Sequence, residues 1–260
     1  MFRKLGFVIA AFVLVPAMWA QTADEIIAKN VQARGGMEKL KSVQSTKATA
    51  TMAMGGMEAP GMLIQKRGSM ARLEFTIQGL TAVQAYDGKM AWQIMPFMGK
   101  KDPEAMSGDE TKELEEMADI DGPLVDYKSK GHQVELLGKE KIEGTDAYKL
   151  KITLKNGDVL TDFIDADSFL EIKEETKRNI RGTEQVVDSS IGDYKEVNGI
   201  IFPFAIESGV KGSPDKQKLT ITKLELNVPA EDSLFKMPPP APAAPKTPVP
   251  APPKADPPKN

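Results

Sequence analysis

The sequence predicts a mainly β fold with a few helices (α+β): a strongly curved antiparallel sheet carrying an N-terminal helix and a mid-chain helical lid. Three observations lead there. From Ser45 onward most segments alternate polar and apolar residues with period two, the mark of strands with one wet and one apolar face. The turns between them are short and carry Asp87-Gly88, Asn156-Gly157 and Asn198-Gly199, with weaker signals at Gly144 and Gly182; such pairs suit two-residue hairpins, which need positive φ at both central positions. No strand–helix–strand alternation points to a parallel sheet, so successive hairpins make a meander that must curl to manage its edges.

Residues 1–20 read as a secretory signal peptide. Arg3 and Lys4 precede an apolar run from Leu5 to Val15, and Ala17 and Ala20 offer small residues for cleavage; the run is too short and too early for a membrane span. The mature segment, 21–237, opens with Thr22-Ala-Asp-Glu25, a capping box. Ile27 and Val31 then share a helical stripe, Gly35-Gly36 ends that helix, and Met37 to Leu40 fit a second short one. Strand candidates follow at Thr46 to Met54, "ARLEFTI" (71–77), "YKLKITL" (148–154), "IIFPFAIES" and "KLTITKLELNV". One interruption, Ser107 to Tyr127, reads as a helix capped by Ser107 and Glu110, with Leu114 and Met117 on one face. From Pro238 to Asn260 the chain holds more than half of its 19 prolines and is expected to be an extended, disordered tail.

Composition removes several classes of function. With no cysteine there is no thiolate chemistry, no disulfide and no lipid-anchoring cysteine, and one histidine, His132, cannot build a multi-histidine zinc site. His132 would have to serve any serine triad, yet no nucleophile elbow accompanies it, and it reads as a surface residue at the start of "HQVELLG". The formal charge of −3, or −5 once Arg3 and Lys4 leave with the signal peptide, argues against nucleic acid. Paired acids could serve a glycosidase, but Asp119 with Asp121, Asp162 with Asp165 and Asp167, and Glu174 with Glu175 read as solvated faces and turns. Neither a metal nor a cofactor is expected, and the chain is read as a non-enzyme.

The apolar residues are the stronger signal. Eleven methionines fall in the first half of the mature segment, and "YDGKMAWQIMPFMG" (86–99) adds Trp92 and Phe97. Methionine adapts its shape to irregular apolar partners. Two short helices can only lid a large curved sheet, which leaves space for a cavity. The residues expected to line it are Met52, Met54, Met62, Leu73, Phe75, Ile77, Met90, Trp92, Ile94, Phe97, Leu114 and Met117. Such a groove suits acyl chains, which gain about 0.8 kcal/mol per buried methylene.

The opening helix "ADEIIAKNVQARGGMEKLKSVQS", the stretch "YDGKMAWQIMPFMG", then "VNGIIFPFAIES" and the closing "PAEDSLFKMP" resemble the LolA-like superfamily of outer-membrane lipoprotein-sorting and lipid-carrier proteins. That resemblance covers nearly the whole mature segment. It implies an incomplete β-barrel of about eleven antiparallel strands plugged by helices, and a periplasmic carrier of acyl chains of lipoproteins or other lipids toward the outer membrane. It also implies inner- or outer-membrane protein partners. Some relatives hold their closed state with an arginine from the early strands; Arg67 and Arg72 lie in that region, in no motif that assigns the role to either. The alternative is a non-enzymatic envelope sensor or protein-interaction module on the same fold, since fold alone does not fix function.

Overall fold

The computed structural model describes residues 21–180 and 183–239, without the side chains of Met54, Asp109, Asn179 and Ile180. The signal-peptide reading of 1–20, the Gly182 turn and the tail from Pro240 onward lie outside the described residues. Helix α1 (Ala23–Ala33) starts with the expected capping box: Thr22 Oγ1 accepts from Glu25 N at 3.2 Å, and Glu25 Oε2 accepts from Thr22 N at 3.0 Å. It ends where Gly35 adopts φ 118° with its α-carbon pressed against the Gly199 carbonyl; a Cβ there would sit 2.5 Å from that oxygen, so only glycine fits. Helix α2 (Met37–Ser42) follows.

Strands β1 (Ser45–Met54), β2 (Met57–Lys66), β3 (Met70–Ile77), β4 (Leu80–Tyr86), β5 (Ala91–Met95) and β6 (Lys100–Ala105) precede helix α3 (Asp109–Met117). After it come β7 (Gln133–Ile142), β8 (Thr145–Thr153), β9 (Val159–Asp165), β10 (Glu171–Ile180), β11 (Thr183–Gly192), β12 (Lys195–Val197), β13 (Ile200–Phe202), β14 (Ala205–Val210) and β15 (Lys216–Leu226). All but β12 and β13 join one curved, unclosed antiparallel sheet of 13 strands, in the order β6-β5-β4-β3-β2-β1-β15-β14-β11-β10-β9-β8-β7. This exceeds the strand number of about eleven implied by the resemblance. The β12–β13 pair is a separate hairpin whose Asn198 and Gly199 have φ of 52° and 78°, as its two-residue turn requires. The Ser107–Glu110 capping box does not form. Gly108, at φ 63°, occupies the cap position, so Ser107 lies one residue too early.

Residues opposite one another across antiparallel strands share a face, and the register defines both faces of the sheet. The inner face carries the helices. There α1 and α2 pack Ile26, Ile27, Val31, Leu40 and Val43 against Tyr148, Leu150, Ile152, Leu160 and Ile164 of β8 and β9. Helix α3 packs Leu114 and Met117 against Ala71 and Tyr86 at the other arm, and Gln65 of β2 donates to the Met117 carbonyl at 2.6 Å.

The outer face of the β2–β5 arm is covered by the chain that follows β15. Lys66 Nζ donates to the Ala230 carbonyl at 2.7 Å, Arg72 Nη1 to Leu234 at 2.9 Å, and Trp92 Nε1 to Phe235 at 2.7 Å. Both Trp92 and Phe235 are fully buried, and Arg72 stacks its guanidinium 5.7 Å from the Trp92 ring. This strap is therefore part of the fold, although it pairs with no strand. Phe235→Ala is expected to cost about 3–5 kcal/mol, the usual loss for a fully buried phenylalanine, measurable by urea unfolding; a loss below about 1 kcal/mol would mean the strap is dispensable.

Candidate functional site

Between the two helix-packed clusters the inner face is apolar and only half-buried. Leu63, Leu73 and Phe75 of β2 and β3 face the same side as Ala48, Ala50 and Met52 of β1. The line continues through Leu219, Ile221 and Leu224 of β15, Ile206 of β14 and Ile191 of β11, and stops at the hydrogen-bonded pair Ser189 and Ser208 on the same face. Ala48 and Ala50 are buried, whereas the larger side chains of this trough are partly exposed, and none of them belongs to either helix-packed core. The two alanines at the centre of the sheet keep the trough deep, because nothing large rises from β1 until Met52.

The twelve residues expected to line a cavity distribute as follows. Met52, Leu73, Phe75 and Ile77 lie on the inner face, with the Phe97 ring tilted 52° against that of Phe75 at a centroid distance of 5.9 Å. Leu114 and Met117 sit on the sheet-facing side of α3. Met62, Trp92 and Ile94 point to the outer face, Met62 opposite Glu74 and Trp92 opposite Ala85 and under the strap. Met90 lies in the Asp87–Gly88 loop and is 39% exposed. Met54's backbone ends β1, but its side chain lies outside the described residues. The inner-face residues of β11, β14 and β15 were absent from the sequence reading, although the alternation in "IIFPFAIES" and "KLTITKLELNV" had marked their strands.

Where the two halves of the helical cover meet, a charged latch ties them to the sheet. Arg67, just after β2, holds Asp121 with both arms, Nη1 to Oδ2 at 2.8 Å and Nη2 to Oδ1 at 3.0 Å. The same guanidinium donates to the carbonyls of Val43 at 2.9 Å and Leu40 at 3.2 Å, at the end of α2. Lys41 adds a 3.0 Å contact to Asp121 and one of 2.6 Å to Asp126. Burial pushes the Asp121 carboxyl up, but the hydrogen bonds from Arg67 and Lys41 outweigh it and hold its pKa below the ordinary aspartate value.

A second polar region lies beside α3. A cavity of about 720 Å³ is bordered by Tyr86, Glu116, Asp119, His132, Leu160 and Glu174, among others; none of the expected apolar residues borders it. His132, just before β7, accepts from the Lys155 amide at Nδ1, and burial, then the Lys130 charge, lowers its pKa. Past Glu174 stand two more acids, Asp162 and Glu171. The expectation that Asp162 and Glu174 belong to solvated faces is overturned: Asp162 is 1% exposed and directly faces Glu174 across the β9–β10 ladder. A register shift between Glu171 and Lys173 explains the cluster. It turns Glu171 onto the inner face with Glu174, three residues on, which regular alternation would not do. Burial and the neighbouring carboxylates raise Asp162 well above its ordinary pKa and push Glu171 to about 8.

No family model matches the chain, and no curated protein is similar to it in sequence. Solved structures do match. A LolA superfamily protein from Nitrosomonas europaea aligns over 84% of this chain and 98% of its own, with TM-score 0.57 at 15% identity. A DUF1329 family protein from Desulfovibrio piger aligns over 82% of this chain and 96% of its own, with TM-score 0.57 at 13% identity. The fold is LolA-like. A domain from Vibrio parahaemolyticus assigned to outer membrane lipoprotein sorting aligns over 80% of this chain and 94% of its own, with TM-score 0.54 at 13% identity. Within this LolA-like fold no helix among the described residues is long and apolar enough to cross a membrane.

Removing one partner of the latch should leave the other buried and uncompensated. Arg67→Met is expected to cost about 3–5 kcal/mol, and Arg67→Met with Asp121→Asn markedly less than the sum of the two single changes. Because the folded pKa of Asp121 is depressed, its contribution is fully present above the ordinary aspartate pKa of about 4 and is lost as pH falls through the lower folded value. Urea unfolding of wild type and Asp121→Asn across that range checks the sign: the difference between them should shrink toward acid.

Proposed function

We propose that this protein is a non-enzymatic periplasmic carrier that holds the acyl chains of lipoproteins or other lipids in its inner trough and passes them toward the outer membrane. One observation carries the reading: the centre of the sheet presents a continuous apolar surface that its own helices leave half-exposed. A contiguous, partly exposed group of large apolar side chains is the kind of surface that binds apolar partners, and an acyl chain gains about 0.8 kcal/mol per methylene buried without asking for hydrogen bonds. The assignment of the Vibrio parahaemolyticus domain to lipoprotein sorting supports the same use of the fold. Residues 1–20 would direct export, 21–237 would form the carrier, and the proline-rich tail from 238 would extend from it toward a membrane protein partner.

In this reading the cargo-lining residues are Met52, Leu63, Leu73, Phe75, Ile77 and Ile206, with Phe97, Leu114 and Met117 at the α3 rim. The outward-facing Trp92, Ile94 and Met62 are left out. Uptake is driven by acyl burial, and release follows when the helical cover swings away after the Arg67–Asp121 latch parts.

The test pairs native mass spectrometry and lipid extraction with a binding assay using a fluorescent fatty acid. Phe75→Glu and Ile206→Glu place a carboxylate on either arm of the trough and should each weaken binding by roughly tenfold or more, the factor set by 1.4 kcal/mol. Trp92→Phe, on the outer face, should leave binding unchanged. Unaltered binding in both trough variants, with a lipid-free native mass, would overturn the carrier reading; a co-purifying protein in place of lipid would favour the sensor or interaction module.

A further inference from the structure

We infer that Asp162, Glu171 and Glu174 form a binding site for a hard divalent cation of calcium size, set into the inner face of the sheet between β9 and β10. Each offers one carboxylate oxygen, and the three oxygens lie within 4.8 Å of one another. Two oxygens on opposite sides of a calcium ion, each at 2.3–2.6 Å, are about 5 Å apart, so the three oxygens are near enough to share one ion. The donor set is all oxygen, which selects calcium, magnesium or manganese over zinc or copper. Three protein carboxylates in one site favour calcium, because magnesium keeps most of its waters and usually takes only one or two carboxylates.

An independent observation points to a missing partner. Asp162 is 1% exposed, and its Oδ1 is buried with no hydrogen bond; Glu171 Oε1 is in the same state. Buried carboxylate oxygens ordinarily have partners, because an uncompensated one carries its full desolvation cost. Among the described residues none of the three carboxylates forms a salt bridge, although Glu174 Oε1 accepts from Thr176 Oγ1 at 2.8 Å. Arg34 acts on Glu171 only through its charge at a distance. A divalent ion would supply the paired positive charge that the cluster lacks.

Access and construction fit as well. Glu174 lines the cavity beside α3, which gives an ion a route from solvent and leaves room for the waters that complete a shell of six to eight oxygens. The bulge between Glu171 and Lys173 brings the third carboxylate onto the inner face, a device common beside functional sites.

The experiment uses the mature chain stripped with EDTA at neutral pH, titrated with calcium chloride, with thermal unfolding and native mass spectrometry as readouts. At a hundredfold excess over Kd, calcium should raise Tm by roughly 5–10 °C and add one ion per chain. Asp162→Asn and Glu171→Gln keep shape while removing charge. Each should cut calcium affinity at least tenfold and raise the Tm of the ion-free protein, because like-charge repulsion is relieved. Glu174→Gln, at the cavity edge, provides a variant with less risk to folding and should show the same loss. No Tm shift and no bound ion with calcium, magnesium or manganese would overturn the site, as would a calcium response that survives in Glu174→Gln and Glu171→Gln.

Discussion

A sheet of 13 strands offers far more inner face than helices of 11, 6 and 9 residues can cover. Most of the architecture follows from that mismatch. Helices α1 and α2 take the β8–β9 arm, α3 takes the β3–β5 arm, and each forms a dry core of its own. A closed barrel would need pairing between β6 and β7, which the connection through α3 keeps apart. What is left uncovered is the middle, and its residues are the ones a core would use: leucine, isoleucine, phenylalanine and methionine. The same surface that leaves the sheet incomplete as a core is the one the proposed cargo would cover.

Much of this was legible in the sequence, because period two is a local property. The Thr22–Glu25 box, the Asn198-Gly199 turn and the alternation in "ARLEFTI" each depend on a few adjacent residues and appear where expected, whereas Asp87-Gly88 opens a four-residue loop in which only Gly88 has positive φ. Alternation separates two faces but does not say which is inner. In "YDGKMAWQIMPFMG" both faces are buried, Ala91 under α3 and Trp92 under the strap, so composition alone gives no sign of the difference. Leu63, Leu219 and Ile206 were missed because cover, and not residue type, decides which apolar strand residues stay half-exposed. The acid cluster was hidden for another reason: a single-residue bulge has no signature in "EIKEET", and without it Glu171 and Glu174 would face opposite ways. The Arg67–Asp121 pair joins residues 54 apart in sequence and is visible only once the sheet has brought the β2 end to the segment after α3.

Charge and apolarity are kept in separate parts of the inner face. The trough from β3 across β1 to β14 carries hardly any ionisable groups, while the acids, Arg178 with Glu116, and Lys130 with Asp119 gather toward β9, β10 and the end of α3. Under the proposed carrier reading, separation of this kind would let the surface release what it binds. A charge within the trough would either repel an acyl chain or demand a partner from it; a charge at the rim can hold the helical cover without touching the contents.

The latch itself has the balance that the proposed opening of the cover would need. Arg67 is partly exposed and Asp121 almost fully buried, so forming the pair strips water from the acid and returns two hydrogen bonds with bidentate geometry. Buried pairs of this kind contribute little net stability, because desolvation offsets most of the attraction, yet they fix geometry strictly. Opening the cover as a unit would rehydrate both partners together and so avoid the penalty that removing one of them incurs. The two carbonyls of Leu40 and Val43 add a further constraint: the guanidinium can satisfy them only when α2 and the post-α3 segment are both seated. Docking of the two helical pieces is therefore cooperative through one side chain, and loosening either piece weakens the hold on the other.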